Sequence, residues 1–154
     1  MKRLLVPAAA AAAAVLVFAV VNATAGSSRA KAGGSIHVIE HATTDAVTNG
    51  TAGDSAGNIL TFANDVYDAA DAHKIGSDQG YCVRTVVGAA WECNWTTFLP
   101  GGQITVEGPF SDTGDTVVAV TGGTDAYRNT RGSMQLIYHN PAGTEFDFVF
   151  NLVG

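Results

Sequence analysis

Residues 145–152 read Glu-Phe-Asp-Phe-Val-Phe-Asn-Leu, and a large apolar residue occupies every second position. Successive side chains of a β-strand point to opposite faces, so Phe146, Phe148, Phe150 and Leu152 share one face. A strand with one apolar face and one mainly polar face is typical of an antiparallel sheet packed on a single core. This C-terminal segment therefore predicts a strand of an all-β domain.

The same rhythm of short strands and turns extends back along the chain. Strand patterns bounded by Gly, Pro or Asp cover 35–47, 58–68, 79–87, 91–98, 103–108, 115–121, 132–139 and 144–153. None of these segments has the apolar period of a helix. About eight antiparallel strands with no helix to cover a sheet edge favour a closed barrel or a sandwich. The interior of an eight-stranded barrel holds side chains or one small ligand.

The first 25 residues have the three-part pattern of a secretory signal peptide. A basic start, Met1-Lys2-Arg3, precedes an apolar run at 4–21 and the small-residue triplet Ala23-Thr24-Ala25. We therefore predict cleavage near Ala25 and secretion, with no membrane segment in the mature protein. An uncleaved anchor formed by residues 4–21 is the alternative.

After the signal peptide, residues 26–34 are small, polar and rich in glycine, which predicts a disordered lead-in. Residues 35–154 are then long enough for one domain. Loss of Lys2 and Arg3 with the signal changes the formal net charge from −6 to −8. An acidic chain without a basic run is poorly suited to a polyanion, so we expect no nucleic-acid partner.

Cys82 and Cys93 lie on consecutive predicted strands around a turn near Val87-Gly88. A ladder that starts by pairing Val86 with Ala89 places the two cysteines directly opposite each other, where a non-hydrogen-bonded pair suits a disulfide. An exported protein meets an oxidising compartment, so we predict that they are bridged. A reactive thiol or a metal ligand is the alternative, but the chain has two cysteines and no C-x-x-C spacing. We predict no metal site and no cofactor.

Glu40 is the most unusual residue of the first predicted strand because it alternates with Val38 and other apolar residues. A buried carboxylate is costly unless it is hydrogen-bonded, and burial raises its pKa, which suits acid–base or charge-stabilising chemistry. Alternation alone leaves two orientations open. Either Glu40 points inward, or the strand is reversed, with His37 and His41 inside and Glu40 solvated.

Asn64 poses a related question on the second predicted strand, where it alternates with Phe62 and Val66. A buried amide there could hold a water or a ligand oxygen, or it could satisfy a neighbouring backbone group. His37 and His41 are four residues apart on one strand, which separates them by about 13 Å and makes them poor partners for one metal ion.

Several motifs resemble the allene oxide cyclases, and one turn resembles the plant dirigent proteins. The cyclase-like segments are FANDVYD at 62–68, IG at 75–76, GYCV at 80–83, ITVEGPF at 104–110 and VAVTGGT at 118–124. The dirigent-like turn is TGGTDAYRNTRG at 121–132. The resemblance covers about 36–154 and implies the fold that these families share, a closed eight-stranded antiparallel barrel. Proteins of these families are commonly trimeric, so the resemblance also makes a homotrimer possible. The Ala/Gly-rich chain with its bacterial-looking signal suggests an exported bacterial relative.

The resemblance implies roles for three residues. Glu40 falls where the cyclases keep a cavity glutamate proposed to stabilise a cationic intermediate. Asn64 matches an asparagine that helps to hold the water binding the epoxide oxygen, and Cys82 matches a cavity cysteine.

Three positions depart from the cyclase pattern. Ala42 stands where the cyclases have a second water-holding asparagine, and Asn49 replaces the proline whose carbonyl binds that water. Phe110 replaces a cavity tyrosine. We therefore expect no efficient allene oxide cyclase activity.

Together these observations predict a secreted barrel that binds a hydrophobic small molecule and steers its cyclisation or coupling, as an isomerase or cyclase would. A non-catalytic carrier resembling the lipocalins is the alternative, and a barrel filled by its own aromatic residues is a third. The candidate catalytic residues are Glu40 and Asn64. The candidate ligand-binding residues are Val38, Phe62, Val66 and Phe110.

Overall fold

The computed structural model of the chain describes residues 33–153. The predicted signal peptide and almost all of the predicted lead-in lie outside the described residues. The regular secondary structure of the described part is all strand except for one short 3-10 helix at Asp125–Tyr127. Within it, no helix is long and apolar enough to cross a membrane.

Ten strands make up the sheet. They are β1 (Gly34–His41), β2 (Ala46–Asn49), β3 (Ile59–Phe62), β4 (Asp65–Asp68), β5 (Lys74–Val86), β6 (Ala90–Leu99), β7 (Gly102–Ser111), β8 (Thr116–Gly123), β9 (Arg131–Tyr138) and β10 (Glu145–Val153).

These ten segments form a closed barrel of eight antiparallel strands. The strands β3 and β4 pair with successive parts of β5, so they act as one barrel strand interrupted at Ala63-Asn64. The strands β1 and β2 likewise act as one barrel strand, interrupted at 42–45. Before the interruption β1 pairs with β4, and after it β2 pairs with β3. Pairing of β1 with β10 and of β5 with β6 completes the ring. The predicted fold is confirmed.

The strand β5 begins at Lys74, well before the predicted start at residue 79. The inward-facing residues at the start of β5 are Gly76 and Asp78. Because neither has an apolar side chain, this part of the strand lacks the apolar alternation that predicts a strand. Gly76 is required because a Cβ there would lie 2.1 Å from the Phe98 carbonyl oxygen. The predicted segments 35–47 and 58–68 each contain one of the two interruptions.

The apolar face predicted for the last strand is confirmed, since Phe146, Phe148, Phe150 and Leu152 are all buried. At one end of the barrel the interior is filled by buried side chains such as Leu99, Ile104, Val120, Met134 and Leu152. The opposite end, where β1 ends and β3 begins, contains a cavity.

Cys82 and Cys93 form the predicted disulfide, and neither described cysteine is free. The predicted register is confirmed from Arg84–Trp91 to Cys82–Cys93. Nearer the turn it was wrong by one residue, because a shift after Arg84 pairs Val86 with Ala90 rather than with Ala89. The disulfide is buried and faces the cavity.

Candidate functional site

The cavity has a volume of about 50 Å³, several times the roughly 10–15 Å³ that one water requires. Its wall is mainly aromatic and aliphatic. The lining residues are Glu40, Asp45, Leu60, Phe62, Cys82, Trp91, Cys93, Trp95, Phe110, Leu136, Phe146 and Phe148. Leu60, Phe62 and Phe110 are only half-buried, and they lie toward the end at which the cavity approaches solvent.

Glu40 lies on the inner face of β1, between Phe146 of β10 and Val66 of β4, and is 5% exposed. Of the two orientations that alternation left open, the structure has the one in which Glu40 points inward. His37 and His41 point outward, where their Nε2 atoms contact carboxylates of Asp147 and Asp71.

Asn64 connects Glu40 to the interrupted part of the first barrel strand. Its Nδ2 group donates to Glu40 Oε1 and to Asp45 Oδ1, at 2.8 Å in each case. Its Oδ1 accepts from the Thr43 and Thr44 backbone N–H groups and from the Thr44 hydroxyl. The break between β1 and β2 turns these donors toward Asn64. The amide is therefore fully used within the protein and orients the two carboxyls.

Asp78 adds a third carboxyl to the interior. Its backbone exchanges two hydrogen bonds with Asn64, and its side chain is 1% exposed. One carboxyl oxygen, Oδ1, accepts from the Asn64 N–H at 3.3 Å, whereas Oδ2 receives no N–H bond. The Asp78 side chain also shares a hydrogen bond with the Glu40 carboxyl.

Burial raises the pKa of each of the three carboxyls, Glu40, Asp45 and Asp78. It raises the pKa of Glu40 to about 7, although the hydrogen bond from Asn64 opposes the rise, and the charge of Asp45 adds to it. Burial, and then the nearby Glu40 carboxylate, hold the pKa of Asp78 well above its usual range. Burial also raises the pKa of Asp45. Near neutral pH, Glu40 can therefore take up or release a proton with little free-energy cost.

A buried cation lies beside the cavity but is already neutralised. The Arg84 guanidinium stacks on Trp91, 3.9 Å from the ring centroid. Its Nε lies 2.6 Å from Asp54 Oδ1 and its Nη1 donates to Asp112 Oδ2 at 2.6 Å. Asp112 also accepts from the Trp91 indole N–H. This cluster closes one side of the cavity end.

The six predicted site residues occupy three different places. Glu40, Phe62 and Phe110 line the cavity. Asn64 lies behind Glu40, and Val38 and Val66 are buried in the core without lining the cavity. Their functional roles remain predictions.

Sequence reasoning missed two carboxyls and two tryptophans. Counting back from Cys82 in steps of two would have placed Asp78 on the inner face of its strand. Counting from Cys93 in steps of two would have placed Trp91 and Trp95 on the inner face of the next strand. No alternation could have found Asp45, because the strand is interrupted just before it.

Two of the departures from the cyclase pattern lie away from the cavity wall. Asn49 is exposed on β2 and Ala42 packs at the edge of the core. Over residues 33–153, no group of three or more His, Cys, Asp or Glu side chains is arranged to hold a metal ion.

The sequence matches no protein-family model and no curated protein. Several solved structures nevertheless have a similar fold. A pyocyanin demethylase superposes with a TM-score of 0.62 at 21% identity, over 75% of this chain and 99% of that one. A pterocarpan synthase dirigent protein superposes with a TM-score of 0.63 at 13% identity, over 78% of this chain and 87% of that one.

An exo-specific intermolecular Diels-Alderase superposes with a TM-score of 0.61 at 19% identity, over 79% of this chain and 98% of that one. Identities at this level establish a common fold and leave the chemistry open. The resemblance stated from the sequence is confirmed at that level. The chain has the same closed barrel fold as a pyocyanin demethylase, a dirigent protein and a Diels-Alderase.

Proposed function

We propose that this protein is an exported barrel that binds a hydrophobic small molecule and steers its cyclisation or coupling. The observation that carries the proposal is a buried carboxyl on an aromatic cavity wall. Glu40 is oriented by Asn64 and has a pKa of about 7. A group with these properties fits acid–base or charge-stabilising chemistry better than a purely structural role.

The proposed mechanism combines confinement with electrostatic stabilisation. Aromatic walls such as Trp95, Phe110 and Phe148 would hold a flexible aromatic or polyunsaturated ligand in one conformer. The ionised form of Glu40 would stabilise positive charge that develops as the ring or bond forms, and its protonated form would donate a proton. The fold supports this reading, because dirigent proteins and a Diels-Alderase have similar structures.

Export is part of the proposal. The Cys82–Cys93 disulfide supports it, because disulfides persist mainly in oxidising compartments. The signal-peptide pattern at the N-terminus supports it independently.

The test distinguishes an enzyme from a non-catalytic carrier. Both tryptophans of the chain, Trp91 and Trp95, line the cavity, so their fluorescence reports ligand entry. Apolar aromatic and polyunsaturated compounds would be screened by this signal, and those that bind would be incubated and analysed for new chiral products. We expect Glu40→Gln to retain binding and to lose product formation.

Glu107→Gln is the matched control, because Glu107 is exposed on β7 and the substitution makes the same change in charge. Binding without any product, in the wild type as in Glu40→Gln, would identify a carrier. Absence of any apolar ligand would contradict the proposal itself.

A further inference from the structure

The three carboxyls at the cavity end have more oxygen atoms than the protein supplies N–H donors to them. Glu40, Asp45 and Asp78 share the two N–H bonds of the Asn64 side chain and one from its backbone. Asp78 Oδ2 receives no N–H bond, and the Asp78 side chain is hydrogen-bonded to that of Glu40 instead. Glu40 and Asp45 line the cavity, so a bound molecule that brings donors of its own can supply hydrogen bonds that these two carboxyls lack.

The cavity wall favours positive charge. Its two ionisable lining residues, Glu40 and Asp45, are both acidic, and none of the described Lys, Arg or His residues lines it. Arg84, the buried cation nearby, is neutralised by Asp54 and Asp112. Aromatic faces attract cations through their quadrupole, and this wall includes two tryptophans and several phenylalanines.

One hydrogen-bond donor of the cavity wall also lacks a partner. The Trp95 indole N–H has no acceptor, although Trp95 is 3% exposed and lines the cavity. Gly80 lies directly against Trp95, because a Cβ placed at Gly80 would lie 2.3 Å from the Trp95 Cβ. A ligand, or a water bound with it, would accept this hydrogen bond.

From the donor deficit and the acidic, aromatic wall together, we infer that the cavity takes a small protonated amine carried on an apolar or aromatic body. Because an ammonium group has no acceptor, a water bound beside it would accept the Trp95 N–H. The ammonium group lies against Glu40 and Asp45 and supplies both charge and N–H donors. The apolar body lies among the aromatic side chains. This inference rests on the proposed function, because it names the ligand class of the same cavity.

The inference predicts coupling between binding and protonation. Glu40 is surrounded by Asp45 of the loop, Asp78 of β5 and His41 of its own strand, and otherwise by neutral or apolar side chains. An ammonium ion stabilises the charged form of Glu40, whose pKa is about 7. Binding at about pH 7 should therefore release up to about half a proton.

The experiment uses three probes of similar shape and different charge, namely benzylamine, benzyl alcohol and benzoate. Trp fluorescence and calorimetry of the full mature protein measure affinity, and calorimetry in buffers of different ionisation enthalpy measures proton release. At about pH 8 we expect benzylamine to bind at least about tenfold more tightly than benzyl alcohol, with benzoate weakest. At about pH 6 the preference should shrink as Glu40 becomes protonated.

Glu40→Gln should reduce the preference for benzylamine to near parity and abolish the proton release. Asp45→Asn, on an exposed loop, should reduce the preference partly, and Glu107→Gln should leave it unchanged. Benzyl alcohol binding as tightly as benzylamine would overturn the amine inference and leave the proposed function intact. If neither these probes nor larger apolar compounds enter the cavity, both fail.

Discussion

Replacing Asn64 with alanine tests whether this side chain organises the site. The substitution removes five side-chain hydrogen bonds, two donated to Glu40 and Asp45 and three accepted from Thr43 and Thr44. The groups at Asp45, Thr43 and Thr44 can be rehydrated because they are exposed, whereas the Glu40 carboxyl cannot. Losing a hydrogen bond to a buried charged group costs about 1.5–3 kcal/mol, and the space left by truncation adds about 1 kcal/mol.

We therefore expect the free energy of unfolding to fall by about 2.5–4 kcal/mol at about pH 7, a large part of the ~5–15 kcal/mol typical of a domain. At a urea slope of about 2 kcal/mol/M, the midpoint would fall by about 1.3–2 M. The measurement is urea unfolding with the disulfide intact. Asn151→Ala is the control, because Asn151 is exposed and makes one long hydrogen bond to Val149 O at 3.5 Å. A loss below about 1 kcal/mol for Asn64→Ala would refute the organising role.

Three further predictions follow from other parts of the molecule. Denatured, unreduced protein from an oxidising compartment should have no titratable thiol, and Cys82→Ser with Cys93→Ser should lower the unfolding free energy by about 3 kcal/mol; two free thiols would contradict the disulfide. Coupled to an allene oxide synthase, the protein should give racemic cyclopentenone. A strongly enantiopure product would show that cyclase activity tolerates the replacements at Ala42 and at the exposed Asn49. Asp147→Asn should lower stability more at about pH 6 than at about pH 8. The hydrogen bond to Asp147 raises the pKa of His139, so the stabilisation is complete below the ordinary histidine pKa and is lost as pH rises through the raised value; equal losses at both pH values would contradict this.

Much of the fold was predictable because the barrel has one apolar face per strand. Alternation placed Phe146 and Phe148 on the inner face but left two orientations open for Glu40, and cross-strand counting placed Cys82 opposite Cys93. Alternation could not distinguish a barrel from a sandwich, because both bury one face of each strand. The resemblance supplied that choice.

The rest of the site depends on breaks in regular structure. The interruption at 42–45 brings Asp45 to the cavity and aims two backbone N–H groups at Asn64, and no periodic pattern encodes such a turn. Gly76 and Asp78 are inward residues of β5 that look like turn residues in the sequence. The local pattern therefore predicted the wall of the barrel better than its polar interior.

The central claim is that Glu40 is a buried cavity carboxyl that titrates near neutral pH. An NMR titration of the side-chain carboxyl carbons of the folded protein, with Glu40→Gln used to assign the resonance, tests this directly. We expect a pKa of about 7 for Glu40. A Glu40 resonance that titrates near the ordinary value of 4.5 would contradict the account.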